Sequence, residues 1–189
     1  KSAIKEILWI YQDQTSNLGI LKDKHKIHWW DSWNIGNDSI GQRYGATVKK
    51  HDLMNMLLHG LTSDKYSRRH IMNMWQEGDF KQSEGLLPCA YETIWSVRTV
   101  NGIDYLDMTL MQRSSDYLVA GHINKIQYVA LQLMVAHHCN MIPGNFVHFV
   151  QNLHIYTRHQ QQAEVMIERY SKNNPILVLN AEGKTFYDI

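Results

Sequence analysis

The sequence predicts an α/β chain of the α+β kind, a large mixed sheet flanked by helices. Three observations carry this expectation. Apolar residues recur at helical spacing in three separate stretches, 3–11, 52–61 and 123–138. An Asn-Gly pair at 101–102 joins two runs rich in β-branched and aromatic residues, which is a hairpin pattern. Strands and helices follow one another without strict βαβ alternation, so a mixed sheet fits better than a doubly wound one. At 189 residues, with no internal repeat or interior linker, 1–189 is read as a single domain.

In chain order, Ile4, Ile7, Leu8 and Tyr11 define one face of a first helix, and Trp9 and Ile10 extend it nearly all round. A helix apolar on most sides is buried, so Glu6 places a carboxylate in apolar surroundings. Residues 17–45 are rich in Gly, Asn, Asp and Trp and read as loops with short helical turns. A helix at 52–61 and a short strand at 70–75 follow. Tyr91 to Val100, the Asn101-Gly102 turn and Ile103 to Met111 make the hairpin; Leu106, Met108 and Leu110 alternate with polar positions. Ile123, Ile126, Ala130, Leu131, Met134 and Val135 line one side of the long helix 123–138. Pro143-Gly144 reads as a turn, 146–150 as a strand, 158–170 as a helix and 176–179 as a last strand.

Composition narrows the function. Hydrophobic residues make up 44% and charged residues 20%, which excludes a chain too polar to bury a core. Lys and Arg (19) nearly balance Asp and Glu (18), so nothing marks a sequence-independent nucleic-acid binder, which needs a cationic surface. Two cysteines cannot make a disulfide framework, and a reducing, cytoplasmic setting is expected. Apolar runs fall well short of the roughly 20 residues that span a bilayer, so no membrane association is expected. Both ends read as cut from a longer protein, since the chain starts with Lys1 inside a helix and stops at Ile189 without a polar tail.

Several residue types could carry chemistry. Cys89 follows Pro88 at the edge of the first hairpin strand. It reads either as a small buried hydrophobe or as a nucleophile, and a nucleophile needs a cation nearby to form its thiolate. Pairing Val100 with Ile103 across the turn carries up the ladder to Ala90 opposite Arg113, beside Cys89. Arg113-Ser114-Ser115-Asp116 combines a guanidinium, hydroxyls and a carboxylate, a set able to grip a phosphate. Arg68-Arg69 is a second cationic pair. Asn124 reads as a helix cap or as an amide able to read a pyrimidine edge. Trp29, Trp30 and Trp33 are core or a stacking surface for a flat ring. The 11 histidines lack ligand spacing, and no metal is assigned.

Together, Leu87-Pro88-Cys89, Gln112-Arg113-Ser114-Ser115-Asp116, Asn124 and His154-Ile155-Tyr156 stand in the motif order of thymidylate synthase. Lys5 to Trp9, Trp30-Asp31-Ser32-Trp33, Arg43-Tyr44-Gly45 and Ser67-Arg68-Arg69 extend the resemblance over essentially the whole chain. The chain most resembles the bacterial form found in lactic-acid bacteria and streptococci.

The resemblance implies the thymidylate synthase fold and methylation of dUMP to dTMP, with 5,10-methylenetetrahydrofolate as donor of carbon and hydride. It implies that Cys89 attacks C6 of uracil, Asn124 holds the ring and the developing enolate, Glu6 moves protons through water, and Tyr44 helps remove the C5 proton. Arg113 and Ser114 would bind phosphate, and Arg68 and Arg69 would reach the phosphate of the partner subunit, which implies a homodimer. His154 and Tyr156 would hold the deoxyribose, Gln112 the nucleotide, Asp116 the pterin, and Trp30 and Trp33 the folate pocket. The chain departs from the family pattern at Ala90, at Ala120-Gly121-His122 and at Asn152, where Asp is usual. It also departs in lacking the family's N-terminal segment and C-terminal tail. Two alternatives stay open: a pyrimidine nucleotide hydroxymethylase of the same superfamily, and a non-catalytic fragment that binds nucleotide or RNA. A cysteine hydrolase would need a His base oriented by a third group.

Overall fold

The computed structural model describes residues 1–174 and 176–189. Seven helices and four strands order the described residues. Helix α1 (Ser2–Tyr11) buries Ile7, Trp9, Ile10 and Tyr11, as its nearly all-round apolar surface requires. Helix α2 (Leu18–Asp23) is started by Asn17, whose side chain accepts from the Ile20 N–H. A 3-10 turn (Asp31–Trp33), α3 (Gly45–Lys50) and α4 (Leu53–Ser63) complete the N-terminal half. The buried Arg43 donates to the carbonyls of Asp79 and Ser83, tying the loop after α5 (Glu77–Phe80) to the start of α3.

The sheet has the order β1-β2-β3-β4. Strands β1 (Ile71–Asn73), β2 (Ala90–Val100) and β3 (Ile103–Asp116) pair antiparallel, and β4 (Ile142–His154) pairs parallel to β3. The sheet is therefore mixed, as expected. Helix α6 (His122–His138) is the crossover between β3 and β4, the connection a parallel pair requires. It packs on α1, and Leu131, Met134 and Val135 meet Leu106, Met108 and Leu110 of β3 in one core. At the hairpin turn Asn101 has φ 52° and Gly102 φ 78°, the paired positive values of a type I′ turn.

The opposite face of the sheet carries exposed apolar side chains among polar ones in the single chain. Ile71, Ile94, Thr109 and Val147 lie in one row across it, with Asn73, Glu92, Met111 and Phe149 in the next. Ile71, Ile94, Val147 and Phe149 are all exposed.

Three expected elements differ. Strand β4 runs straight through Pro143-Gly144, so that pair is a bulge and not a turn. The step from Leu106 to Met108 faces the longer step from Pro143 to Phe146, and the Asp107 carboxylate takes the Asn145 N–H that the ladder leaves free. The helix expected at 158–170 begins as a 3-10 turn (Thr157–His159) and is regular only over α7 (Gln160–Ile167). Residues 176–179 form no strand. No helix among the described residues is long and apolar enough to cross a membrane.

Candidate active site

Cys89 sits where β2 begins, and the register there differs from the expected one by a residue. Ala90 pairs with Gln112, and Glu92 with Met111, so Tyr91 is an extra residue on β2. Its carbonyl accepts from the Met74 N–H, and its ring packs near Trp75. The bulge sets Cys89 itself opposite Arg113, whose N–H donates to the Cys89 carbonyl at 2.9 Å. The Arg113 guanidinium donates from Nε to the Pro88 carbonyl (3.0 Å) and from Nη2 to the Leu87 carbonyl (2.9 Å), and Nη2 lies 3.6 Å from Cys89 Sγ. Burial pushes the Cys89 thiol up, and the guanidinium opposes it.

Tyr44 approaches the same cysteine from the other side. Its hydroxyl accepts from the Cys89 N–H at 3.2 Å, and its buried ring meets Trp30 edge-on at 5.2 Å. Burial raises its phenol far above the ordinary range. The backbone at Tyr44 has φ 45° and ψ −112°, a conformation that non-glycine residues rarely adopt. The next residue must be glycine, because a Cβ on Gly45 would collide with the Thr15 backbone.

Glu6 projects from α1 into this region at 7% exposure. Burial raises its carboxyl; the indole of Trp30, the indole of Trp29 and the amide of Gln127 oppose the rise. Trp29 Nε1 donates to Glu6 Oε2 at 2.5 Å. Trp30 Nε1 and Gln127 Nε2 act on the carboxyl without reaching hydrogen-bond geometry, and both are buried donors without a partner.

Asn124 is not the cap of α6. Gly121 holds that position, and Asn124 lies inside the first turn. Its amide is engaged on both sides: Oδ1 accepts from Gln112 Nε2 at 3.1 Å, and Nδ2 donates to Gln127 Oε1 at 3.0 Å. A π-helical turn (Tyr117–Gly121) feeds into α6, capped by the Asp116 carboxylate, which accepts from the Val119 N–H at 3.4 Å. Such turns occur frequently at functional sites. It falls on the segment where Ala120-Gly121-His122 departs from the family pattern. His154 Nδ1 lies 2.9 Å from Asn152 Oδ1 and stands edge-on to Tyr156. Asn152 thus orients His154 as an acceptor, the part a carboxylate would also play.

One cavity of about 530 Å³ gathers these groups. Glu6, Tyr44, Cys89, Gln112, Arg113, Ser114, Asp116, Asn124, His154 and Tyr156 all line it, with Trp30 and Trp33. Arg68 and Arg69 do not: they are exposed in the segment before β1. Among the described residues no cluster of three or more His, Cys, Asp or Glu side chains could hold a metal. Sequence reasoning missed Trp29 as the donor to Glu6, and missed Gln127 and His148 as partners of the amides; only Trp29 had a signal, its place in an aromatic run.

The family profile described as thymidylate synthase matches residues 1–189. The chain belongs to the thymidylate synthase family. A thymidylate synthase of Lactococcus lactis subsp. lactis is 53% identical over 192 residues, covering 100% of this chain and 69% of the relative. One from Streptococcus pneumoniae is 50% identical with the same coverage. The structure of thermostable thymidylate synthase A from Bacillus subtilis superposes with a TM-score of 0.91 at 33% identity, over 99% of this chain and 68% of that one. The thymidylate synthase fold is thereby shown, and with it membership of a methyltransferase family of dTMP biosynthesis.

Proposed function

We propose that the chain methylates C5 of dUMP to give dTMP, with Cys89 as nucleophile. The observation that carries the reading is the convergence of Arg113 and Tyr44 on Cys89, in a cavity that also holds the fixed Asn124 amide. The Cys89 thiolate, favoured by Arg113, adds to C6, and charge moves to the carbonyl at C4. The Asn124 amide meets that oxygen with a pre-oriented N–H. Once C5 has bonded to the donated carbon, Tyr44 and water held by Glu6 would take the C5 proton, and after the hydride reaches that carbon the C6–S bond would break and Cys89 leave as thiolate. Ser114 and the outer edge of the Arg113 guanidinium bind the phosphate, supported by Gln112, while His154 and Tyr156 hold the sugar hydroxyl.

The donor 5,10-methylenetetrahydrofolate supplies the carbon and the hydride when bound. The residues present fit it: Trp29 and Trp33 are each 45% exposed, and both line the cavity together with Trp30. Indole faces at the mouth suit a flat heterocycle, and Asp116 can accept from its ring N–H groups. Residues 1–189 act as one domain in this reading. A cytoplasmic, reducing setting suits a mechanism that needs Cys89 as a free thiol.

The reading also takes a homodimer, supported by the exposed apolar side chains on the open face of the sheet. Arg68 and Arg69 of the partner subunit would complete the phosphate site, which fits their not lining the cavity of their own chain.

The test is trapping with 5-fluoro-dUMP, whose C5 substituent cannot leave as a proton. With the folate present, a stable adduct should form on the Cys89 peptide, and Cys89→Ser should form neither adduct nor dTMP. Folded wild-type protein that makes no dTMP, or adduct formation that persists in Cys89→Ser, overturns the reading.

A further inference from the structure

Four side chains form one hydrogen-bonded line, of which Gln112 and Asn124 line the cavity and His148 and Gln127 do not. His148 Nε2 lies 2.8 Å from Gln112 Oε1. Gln112 Nε2 donates to the Ser114 carbonyl at 2.9 Å and to Asn124 Oδ1 at 3.1 Å. Asn124 Nδ2 donates to Gln127 Oε1 at 3.0 Å. A line of amides can run in either direction, because reversing every amide leaves each neighbour matched. The groups at its ends decide. The Ser114 carbonyl only accepts, so it draws the nitrogen of Gln112 to itself and turns the oxygen toward His148. His148 must then carry its proton on Nε2. Its Nδ1 is buried without a partner, so a proton there would be an orphaned donor. Burial and the nearby Lys125 both disfavour a second proton on the ring. The line is fixed by a backbone carbonyl and one neutral imidazole tautomer.

Its direction matters at Asn124. Uracil presents an N–H at N3 and a carbonyl at C4, whereas cytosine presents a bare N3 and an amino group. The two edges match opposite orders of oxygen and nitrogen on an amide. We propose that His148 is a positioning residue for base choice: its Nε2–H, donated to Gln112 Oε1, holds the amide line in the direction that offers Asn124 to a uracil-type edge. His148 does not line the cavity and acts through Gln112 alone. The inference rests on the dUMP reading above.

The test is paired equilibrium titration of the purified protein with dUMP and with dCMP, and the quantity read is the ratio of affinities. His148→Leu removes the donor and should narrow the ratio about tenfold, the worth of one buried hydrogen bond. His148→Gln places an N–H at the reach of Nε2 and should keep the wild-type ratio. His148→Asn stops one bond short and should behave like the leucine variant. A merely structural loosening would weaken both nucleotides together and leave the ratio alone. If His148→Leu does not fold, the contrast between Gln and Asn decides. Wild type without a preference for dUMP overturns the dUMP reading itself. Wild type that prefers dUMP, with an unchanged ratio in Leu or Asn variants, overturns the role of His148 alone.

Discussion

The Arg113 guanidinium stands 3.6 Å from the Cys89 sulfur, anchored by the carbonyl oxygens of Leu87 and Pro88. Those two residues immediately precede the cysteine. The cation is thus fixed to the same short segment as the thiol, and the two move together. Burial raises the thiol and this contact opposes the rise, so the thiolate population depends on a geometry that a single side chain supplies.

Arg113→Gln should make Cys89 less reactive. Alkylation by iodoacetamide, followed on the Cys89 peptide by mass spectrometry, reads the thiolate. In wild type the rate should rise with pH through neutrality, since burial holds the thiol above its usual range. Loss of the guanidinium should move that profile to higher pH and slow reaction at pH 7.5 about tenfold. Following the peptide separates Cys89 from Cys139, whose thiol is pushed up to about 11 by burial alone. An unchanged profile would show that Arg113 does not govern the thiolate.

Glu6→Gln should gain stability while losing turnover. The folded carboxyl is raised above 4.5 by burial, so the folded state binds that proton more tightly than the unfolded state does. The carboxyl therefore lowers folding stability as pH rises through the unfolded value, and the loss is complete above the folded value. Urea unfolding should find the variant more stable than wild type at pH 8, with the advantage fading as pH falls toward the ordinary carboxyl value. Formation of dTMP should fall at least about a hundredfold, the scale of a lost proton-transfer group. A variant less stable than wild type at pH 8 would contradict the burial argument.

Charge on the open face of the sheet should break assembly. Val147 and Phe149 are 53% and 48% exposed, and they stand in register with Thr109 and Met111. Val147→Glu should sediment as a monomer at concentrations where wild type is a dimer, with its fold kept by circular dichroism and its activity lost. In the wild-type background, an Arg68→Ala, Arg69→Ala chain and a Cys89→Ala chain should each be nearly inactive. Refolded together they should regain part of the activity, because a heterodimer keeps one complete site. A fully active monomer would rule out a shared site.

Local chemistry made much of this legible. Asn101-Gly102 named its own turn, and the alternation of Leu106, Met108 and Leu110 named the buried face of β3. The pairing of Cys89 with Arg113 was also within reach, although the register argument aimed one residue aside. The bulge at Tyr91 depends on a hydrogen bond to Met74, which lies in another part of the chain. Pro143-Gly144 misled for a similar reason: turn residues also suit a bulge, and the choice was made by Asp107 on the neighbouring strand. Asn124 looked like a cap until the π-helical turn before it moved the helix start. Trp29, Gln127 and His148 owe their places to packing between α1, α6 and the sheet, which no short motif encodes.

The unusual backbone at Tyr44 bears on any attempt to harden this protein by selection. Holding a tyrosine at φ 45° and ψ −112° costs on the order of 1–3 kcal/mol, which a glycine there would largely release. That glycine would also leave the space of a buried ring empty, so the variant a library screened only for survival of heating would meet around Cys89 is Glu6→Gln. That change discards a carboxyl that lines the same cavity as Cys89. Thermal screening would therefore enrich inert scaffolds, and a useful campaign must score turnover in every round.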